Sequence, residues 1–279
     1  MKRIFAVLIL LCSIFPYYAK AEELKLAESA QSAILIEAST GEVLFEKNAH
    51  EKKFPASMTK MMSMLIILES IDKGIIKWDE MVTVSANASS MGGSQILLET
   101  NEQMSVSDLF KGIAVASGND AVVALAEKIA GTEDMFVDMM NKRAQELGLT
   151  NTNFKNCHGL HDANHYSSAY DISIIARELV KHEKLFEYTS IYEDYLRQNT
   201  DRKIWLVNTN KLVRFYSGVD GLKTGYTETA GYCITATAKR NNMRLISVVM
   251  GEESSANRNS EVVDMLNYGF NTYQIDTIL

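Results

Sequence analysis

The sequence has 279 residues, of which 47% are hydrophobic, 23% are charged and only two are proline. This length and composition allow a substantial core in one large or two small domains, and they exclude a disordered, collagen-like or low-complexity scaffold. The formal net charge of −7 disfavours nucleic acid as a partner, because phosphate binding needs clustered cations.

The first 21 residues have the order of a secretory signal peptide. Residues 2–3 are basic, residues 4–15 are apolar almost without interruption, and the Ala-Lys-Ala of residues 19–21 provides the small residues that signal peptidase recognises. We predict cleavage after Ala21 and export across the cytoplasmic membrane. A retained membrane anchor is the alternative, but an apolar run of about 12 residues is short for a bilayer span. Cleavage removes three cations and no acid, which changes the formal charge from −7 to −10.

The cysteines and histidines predict neither a disulfide framework nor a metal site. Cys12 leaves with the signal peptide, and we expect Cys157 and Cys233 to lie reduced in the core. A single bridge between them is the alternative in an oxidising compartment. The five histidines form no H-E-x-x-H or Cys/His knuckle, so we predict no metal and no other cofactor.

In chain order, the first predicted elements are a hairpin and a buried helix. Strands are predicted over residues 32–37 and 43–47, joined by a Ser-Thr-Gly turn. Pro55 marks the start of a helix over residues 57–72, and Gly74 follows its end. Because this helix is apolar nearly all round, it must lie at the centre of the fold.

Helices dominate the middle of the chain, and strands return near its end. The predicted segments are helices at 119–129, 132–147, 168–181 and 259–268, and strands at 232–238 and 244–250. Thr132 and Asp171 have the character of helix start signals, and Asn241-Asn242 is a tight-turn pair between the two strands. Strands near both ends with helices between them predict an α+β fold in which one antiparallel sheet joins the ends and is covered by helices.

The buried helix opens with Ser57-Met58-Thr59-Lys60. A step of three residues turns a helix by about 300°, so Ser57 and Lys60 lie on one face, a single turn apart. Lysine can accept the serine proton if desolvation lowers its pKa towards neutrality. The apolar run after Lys60 favours such a site, because an unpaired buried lysine is costly. Snorkelling of Lys60 from the helix start is the alternative.

Two further motifs follow downstream. Ser117-Gly118-Asn119 stands before a predicted helix, and taken alone it is better explained as an N-cap than as a site. Lys223-Thr224-Gly225 can place a cation and a hydroxyl along a groove, and Gly225 allows close approach of a substrate backbone. An ordinary surface strand is the alternative explanation of the same residues. Together and in this order, Ser-x-x-Lys, Ser-x-Asn and Lys-Thr-Gly are the signature of β-lactamases and penicillin-binding proteins.

The chain resembles the low-molecular-weight penicillin-binding proteins of the D-alanyl-D-alanine carboxypeptidase type, peptidase family S11. Besides the three motifs, the similarity is carried over roughly residues 27–272 by the stretches Ser39-Thr40-Gly41-Glu42-Val43-Leu44, Pro55-Ala56, His158-Gly159-Leu160, Tyr166-Ser167-Ser168-Ala169, Gly221-Leu222, Tyr226-Thr227 and Ala230-Gly231-Tyr232-Cys233. The resemblance implies an α/β/α sandwich of the β-lactamase and transpeptidase type, with a helical subdomain. It also implies a periplasmic location, and peptidoglycan stem peptides and β-lactam antibiotics as partners.

The resemblance implies a role for each polar residue of the first two motifs that would take part in catalysis. Ser57 would attack the carbonyl between two D-alanines, and Lys60 would accept its proton. The backbone N–H groups of Ser57 and Tyr226 would form the oxyanion hole. Ser117 and Asn119 would relay a proton and position the peptide.

The third motif would bind the C-terminal end of the substrate. Lys223, Thr224 and Gly225 would bind the region of the terminal carboxylate, with support from Arg258. Lys223 would also help to keep Lys60 neutral by repulsion between like charges.

Three other functions are alternatives to the carboxypeptidase. A class A β-lactamase needs a deacylating Glu beyond the middle motif, and residues 150–155 (Thr-Asn-Thr-Asn-Phe-Lys) contain no acid, which disfavours that enzyme. A D,D-endopeptidase that cuts peptidoglycan cross-links and a non-hydrolysing penicillin-binding sensor stay open.

The expected domain organisation is a signal peptide over residues 1–21 and a catalytic domain over residues 22–279. Many family members continue with a β-rich second domain and a C-terminal amphipathic anchor, and this sequence stops where that domain would begin. Either this is a natural single-domain form or the sequence is truncated, so attachment through a C-terminal helix and peripheral membrane association are not predicted from this chain.

Overall fold

The computed structural model describes residues 25–275, so the predicted signal peptide lies outside the described residues. A five-stranded antiparallel sheet forms the centre. Its strands are β1 (Ser32–Glu37), β2 (Val43–Lys47), β7 (Val219–Thr227), β8 (Gly231–Arg240) and β9 (Met243–Glu252). Their order across the sheet is β2-β1-β9-β8-β7. Ser32 pairs with Met250 and Glu37 with Leu245, so strands from both ends of the chain meet in one sheet, as predicted.

The remaining elements lie mostly between these two groups of strands. They are the helices α1 (Lys60–Asp72), α2 (Ala86–Ser89), α3 (Val106–Ala116), α4 (Asn119–Ala130), α5 (Glu133–Glu146), α6 (Ala169–Leu179), α7 (Phe186–Thr189), α8 (Leu212–Phe215) and α9 (Ser255–Thr272), and the strand pairs β3 (Met81–Thr83) with β4 (Gln103–Ser105) and β5 (Glu193–Leu196) with β6 (Ile204–Val207). Within residues 25–275, no helix is both long and apolar enough to cross a bilayer.

Side chains of β1 show how the sheet separates two cores. Successive residues of a strand point to opposite faces. Leu35 packs in the core beneath α9, whereas Ile34 and Ile36 pack in the larger core that contains α1 and α6. Because helices cover both faces, the fold is the predicted α/β/α sandwich.

Helix α1 is the centre of the helical side. Most of its residues are buried, and it contacts α3, α4, α5 and α6. This arrangement confirms that an all-round apolar helix lies inside the fold. The free cysteines Cys157 and Cys233 are also buried, in agreement with the expectation that both stay reduced.

Three helix starts differ from the predictions. Helix α9 begins at Ser255, four residues before the predicted start at residue 259. Helix α1 begins at Lys60, and residues Ala56–Thr59 form a 3₁₀ turn before it. Met58 N donates to Pro55 O, which is the i to i+3 hydrogen bond of a 3₁₀ turn. Ala56 has a left-handed φ of 47°, which lies outside the range of a regular 3₁₀ helix. Ser168, rather than Asp171, caps α6, because the Ser168 hydroxyl accepts from Asp171 N. Thr132 caps α5 as predicted.

Candidate active site

Ser57 and Lys60 are joined by a hydrogen bond at the start of α1. In a 3₁₀ turn, side chains three residues apart eclipse each other, which places both groups on one face. Lys60 Nζ lies 2.9 Å from Ser57 Oγ and donates to His158 O at 2.7 Å. Lys60 is 0% exposed, so the snorkelling alternative is wrong. Ser57 is only half-buried and therefore stays accessible.

Burial sets the protonation of Lys60. Desolvation lowers the pKa of Lys60 to about 7, against a smaller opposing effect of Cys157 and Asp120. A lysine with this pKa is half neutral at neutral pH and can accept a proton. Desolvation is therefore the main cause of the shift, and repulsion by Lys223, expected only as an additional contribution, is not among the main causes.

Lys223 is buried as completely as Lys60. It lies on β7, is 0% exposed, and donates from Nζ to Thr224 O at 3.1 Å. Burial lowers its pKa well below the usual value, and the positive charges of Lys60 and Arg258 lower it further. The repulsion between the two lysines thus acts on Lys223.

Glycines bring two distant segments against the 3₁₀ turn of residues Ala56–Thr59, here called the serine turn. A Cβ at Gly225 would lie 2.8 Å from Pro55 O and 3.1 Å from Ser57 N, so only glycine lets β7 pass this close. A Cβ at Gly159 would lie 1.9 Å from Ala56 O, and Gly159 also has a φ of 89°. These contacts place the Lys-Thr-Gly strand and the His-Gly-Leu segment beside the nucleophile candidate.

The Ser-Gly-Asn motif forms the short connection between α3 and α4. Ser117 ends α3 with a left-handed φ of 64°, which reverses the chain. Asn119 Nδ2 donates to Gly92 O at 2.7 Å, and no side chain caps α4, so the N-cap alternative is not supported. Asn119 Oδ1 is buried and has no hydrogen-bond partner within residues 25–275. This oxygen is available to accept an N–H group of a ligand.

An open cleft of about 480 Å³ joins these segments. It is lined by Ser57, Ser94, Ser117, Val207, Asn208, Thr209, Lys211, Thr224, Gly225, Tyr226, Tyr232, Ser255, Arg258 and Asn259. Six of the nine predicted site residues are therefore in one cleft, while Lys60, Asn119 and Lys223 are buried beside it. Within residues 25–275, no three His, Cys, Asp or Glu side chains are grouped as a metal ion would need.

The aromatic and cationic rim of the cleft is formed by β7, β8 and α9. The Tyr226 ring lies 4.4 Å from the Tyr232 ring, and the Tyr226 side chain is 55% exposed. Arg258 is buried, and its Nε and Nη2 donate to Asn259 Oδ1. Desolvation lowers the pKa of Arg258.

The cleft is completed by a loop and a segment that were not predicted from the sequence. The buried Asp120 carboxylate accepts from the N–H groups of Ile96 and Leu98, which fixes the loop that carries Ser94. The position of Asp120 directly after the Ser-x-Asn motif was the sequence signal that could have indicated its structural role. Residues 207–211 form the opposite wall, and only the Asn-x-Asn spacing indicated a structured turn there.

The sheet, the central helix and the cleft together define a penicillin-binding, transpeptidase-like fold. The model of the Peptidase S11 family, D-alanyl-D-alanine carboxypeptidase, matches residues 19–254, and the chain belongs to this family.

Relatives with the same description are similar along most of this chain. D-alanyl-D-alanine carboxypeptidase DacF of Bacillus subtilis is 57% identical over 90% of this chain and 64% of its own length. DacA of Haemophilus influenzae is 40% identical over 88% of this chain and 63% of its own length. The chain thus spans somewhat less than two thirds of either relative.

Solved structures have the same architecture. Penicillin binding protein 5 from Haemophilus influenzae superimposes with a TM-score of 0.83 at 39% identity, over 88% of this chain and 72% of that one. Penicillin-binding protein D2 from Listeria monocytogenes, in its ampicillin-bound form, gives a TM-score of 0.78 at 30% identity, over 88% of this chain and 99% of that one.

Proposed function

We propose that this chain is a serine-type D-Ala-D-Ala carboxypeptidase, which removes the terminal D-alanine from peptidoglycan stem pentapeptides through an acyl-enzyme. The observation that carries the proposal is the 2.9 Å hydrogen bond between Ser57 Oγ and a fully buried Lys60 whose pKa is about 7. Membership of the Peptidase S11 family supports the same substrate class.

Acylation begins with attack of Ser57 Oγ on the carbonyl carbon between the two D-alanines. Neutral Lys60 takes the hydroxyl proton as the new C–O bond forms. The backbone N–H groups of Ser57 and Tyr226 stabilise the negative charge on the carbonyl oxygen. The C–N bond then breaks, and the leaving amine receives the proton from Lys60 by way of the Ser117 hydroxyl, so D-alanine leaves with its charge balanced.

Substrate anchoring depends on the opposite wall of the cleft. The terminal carboxylate binds near Lys223, Thr224 and Arg258, where charge-assisted hydrogen bonds are strong because the surroundings are partly dry. The unpartnered Oδ1 of Asn119 accepts a peptide N–H on the other side. Gly225 leaves room for the peptide backbone beside Ser57.

Water then hydrolyses the ester on Ser57 and regenerates the hydroxyl. A β-lactam acylates Ser57 by opening of its ring, and slow hydrolysis of that ester makes it an inhibitor. Residues 150–155 offer no acid to speed this step as in a class A β-lactamase.

A comparison of two substrates tests the activity. The purified protein is incubated with a stem pentapeptide and with a cross-linked muropeptide dimer, and free D-alanine and cleaved dimer are measured. Release of D-alanine from the pentapeptide with an intact dimer is the expected result. Cleavage of the dimer alone would show a D,D-endopeptidase, and penicillin binding without any hydrolysis would show a sensor.

The export pathway is part of the proposal. A signal peptide over residues 1–21 would deliver a catalytic domain over residues 22–279 to the periplasm, where the substrate lies. Mass measurement of the exported protein tests this step. A mass that corresponds to a first residue of Glu22 is expected, and a mass that includes residues 1–21 would contradict cleavage.

A further inference from the structure

The charge of the cleft differs from the charge of the whole chain. The chain has a formal net charge of −7, yet none of the described residues that line the cleft is acidic. The lining contains two cations, Lys211 and Arg258, and the buried Lys223 lies close enough to Arg258 to be affected by its charge. The cleft therefore favours a ligand with more than one negative charge.

Lys211 is held between the two motif segments. Thr209 N donates to Val115 O at 3.2 Å, two residues before Ser117. Asn210 Nδ2 donates to Gly221 O at 3.1 Å, two residues before Lys223. The lysine therefore projects from a segment that is anchored on both sides of the cleft.

The anchoring segment is stiff because its own side chains close two turns. Asn208 Oδ1 accepts from Asn210 N, and Asn210 Oδ1 accepts from Leu212 N. Both asparagines are buried. Such side-chain turns fix the backbone locally. The backbone at Lys211 therefore loses little conformational entropy when a ligand binds.

The charge of Lys211 is not neutralised by the protein. None of the ion pairs among residues 25–275 includes Lys211, and its Nζ lies over the ring of Tyr192, 5.4 Å from the centroid. By contrast, Lys111 on the neighbouring α3 pairs with Asp194 at 2.7 Å. Lys211 is half-buried, which reduces screening of its charge by water.

We propose that Lys211 binds a second carboxylate of the peptide substrate, carried by a side chain that precedes the scissile bond. This inference rests on the proposed function, in which Lys223 and Arg258 bind the terminal carboxylate. The leaving D-alanine has only that one carboxylate, so a second one must belong to the acyl part of the peptide. Lys211 thus determines a preference for stem peptides with an acidic side chain.

Two matched peptides measure this preference. Both are N-acetylated tripeptides that end in D-Ala-D-Ala, with L-2-aminoadipate or its side-chain amide in first position. The wild-type kcat/KM should be about fivefold to tenfold higher for the acid, as expected for one partly screened charge-assisted contact. The preference should decrease at high salt.

Lys211→Met should remove the preference by lowering kcat/KM for the acid alone. Arg214→Met is the matched control, because Arg214 also lies over Tyr192, at 4.9 Å, but does not line the cleft. It should retain the preference. An equal loss for both peptides in Lys211→Met, or no preference in the wild-type protein, would overturn the proposal.

A binding measurement separates this proposal from the proposed function. Ser57→Ala is titrated calorimetrically with the same two peptides, with and without Lys211→Met. Tighter binding of the acid that depends on Lys211 supports the second anion site even if neither peptide is hydrolysed by the wild-type protein. Equal affinity for the two peptides contradicts the site even if both are hydrolysed.

Discussion

The serine turn at the start of α1 and the Lys-Thr-Gly segment of β7 each bury a lysine completely, but the surroundings differ. Lys60 Nζ has two oxygen partners, one of which is the Ser57 hydroxyl. Lys223 Nζ has a backbone carbonyl as its partner and is close enough to Lys60 and Arg258 to be affected by their charges. Desolvation lowers the pKa of both lysines.

The comparison shows that the neighbours of a buried lysine decide its use. A lysine beside a hydroxyl, with a pKa of about 7, is suited to accept and return a proton. A lysine beside two other basic side chains is suited to bind an anion, because an arriving carboxylate raises its pKa and stabilises its charged form. One wall of the cleft would therefore perform the chemistry and the other would bind the carboxylate.

Replacement of the base should have the largest effect. Lys60→Met should lower kcat roughly 10³-fold, because a positioned general base typically contributes 10²- to 10⁴-fold. The measurement is steady-state release of D-alanine. Lys73→Met, on an exposed lysine at the end of the same helix, is the matched control and should keep its activity. Comparable activity in the two variants would exclude Lys60 as the base.

Replacement of the anion-binding lysine should act on binding of the terminal carboxylate. Lys223→Met should lower kcat/KM about 100-fold for a D-Ala-D-Ala peptide, the order expected when one partner of a buried charge pair is lost. A peptide with a C-terminal amide should react poorly with the wild-type protein and lose no further activity in the variant. The exposed Lys239→Met on β8 is the control. Equal losses for acid and amide would contradict the assigned role.

The pH profile should report Lys60. The base must be neutral, so kcat/KM should increase about tenfold for each pH unit well below the pKa and level off above pH 7. The measurement is kcat/KM between pH 5 and 8.5. A profile that stays flat over this range would contradict a base with a pKa of about 7.

The smallest expected effect is on stability. Unfolding returns the pKa of Lys60 from about 7 to 10.5, so above pH 7 the unfolded state binds more protons and the folded state gains stability as pH rises. Between pH 7 and 8, the free energy of unfolding of the wild-type protein should rise by about 1 kcal/mol relative to Lys60→Met. Urea unfolding at both pH values measures it, and parallel changes in the two proteins would exclude the shift.

Much of the sheet could be predicted from local sequence. The apolar runs on either side of Asn241-Asn242 gave β8 and β9, although each strand extends further than predicted. Helix α3 was not predicted as a separate helix, even though Ser105 caps it by accepting from Asp108 N. Short strand pairs such as β3 and β4 were also missed, since three residues give too little periodicity.

The candidate site could be predicted only where its residues lie in short motifs. Ser57 and Lys60 are one turn apart, so their spacing alone predicts contact. The walls of the cleft depend on contacts between distant residues, such as Thr209 N with Val115 O and the close approach of Gly159 to Ala56. No local pattern encodes such packing, which is why Lys211 was not identified from sequence.

Mass spectrometry after treatment with penicillin tests the central claim most directly. The protein is labelled, digested with a protease and mapped, with Ser57→Ala treated in parallel. A single covalent adduct on the peptide that contains Ser57, and no adduct in Ser57→Ala, is the predicted result. An adduct on another residue, or undiminished labelling of Ser57→Ala, would show that the hydroxyl beside Lys60 is not the nucleophile.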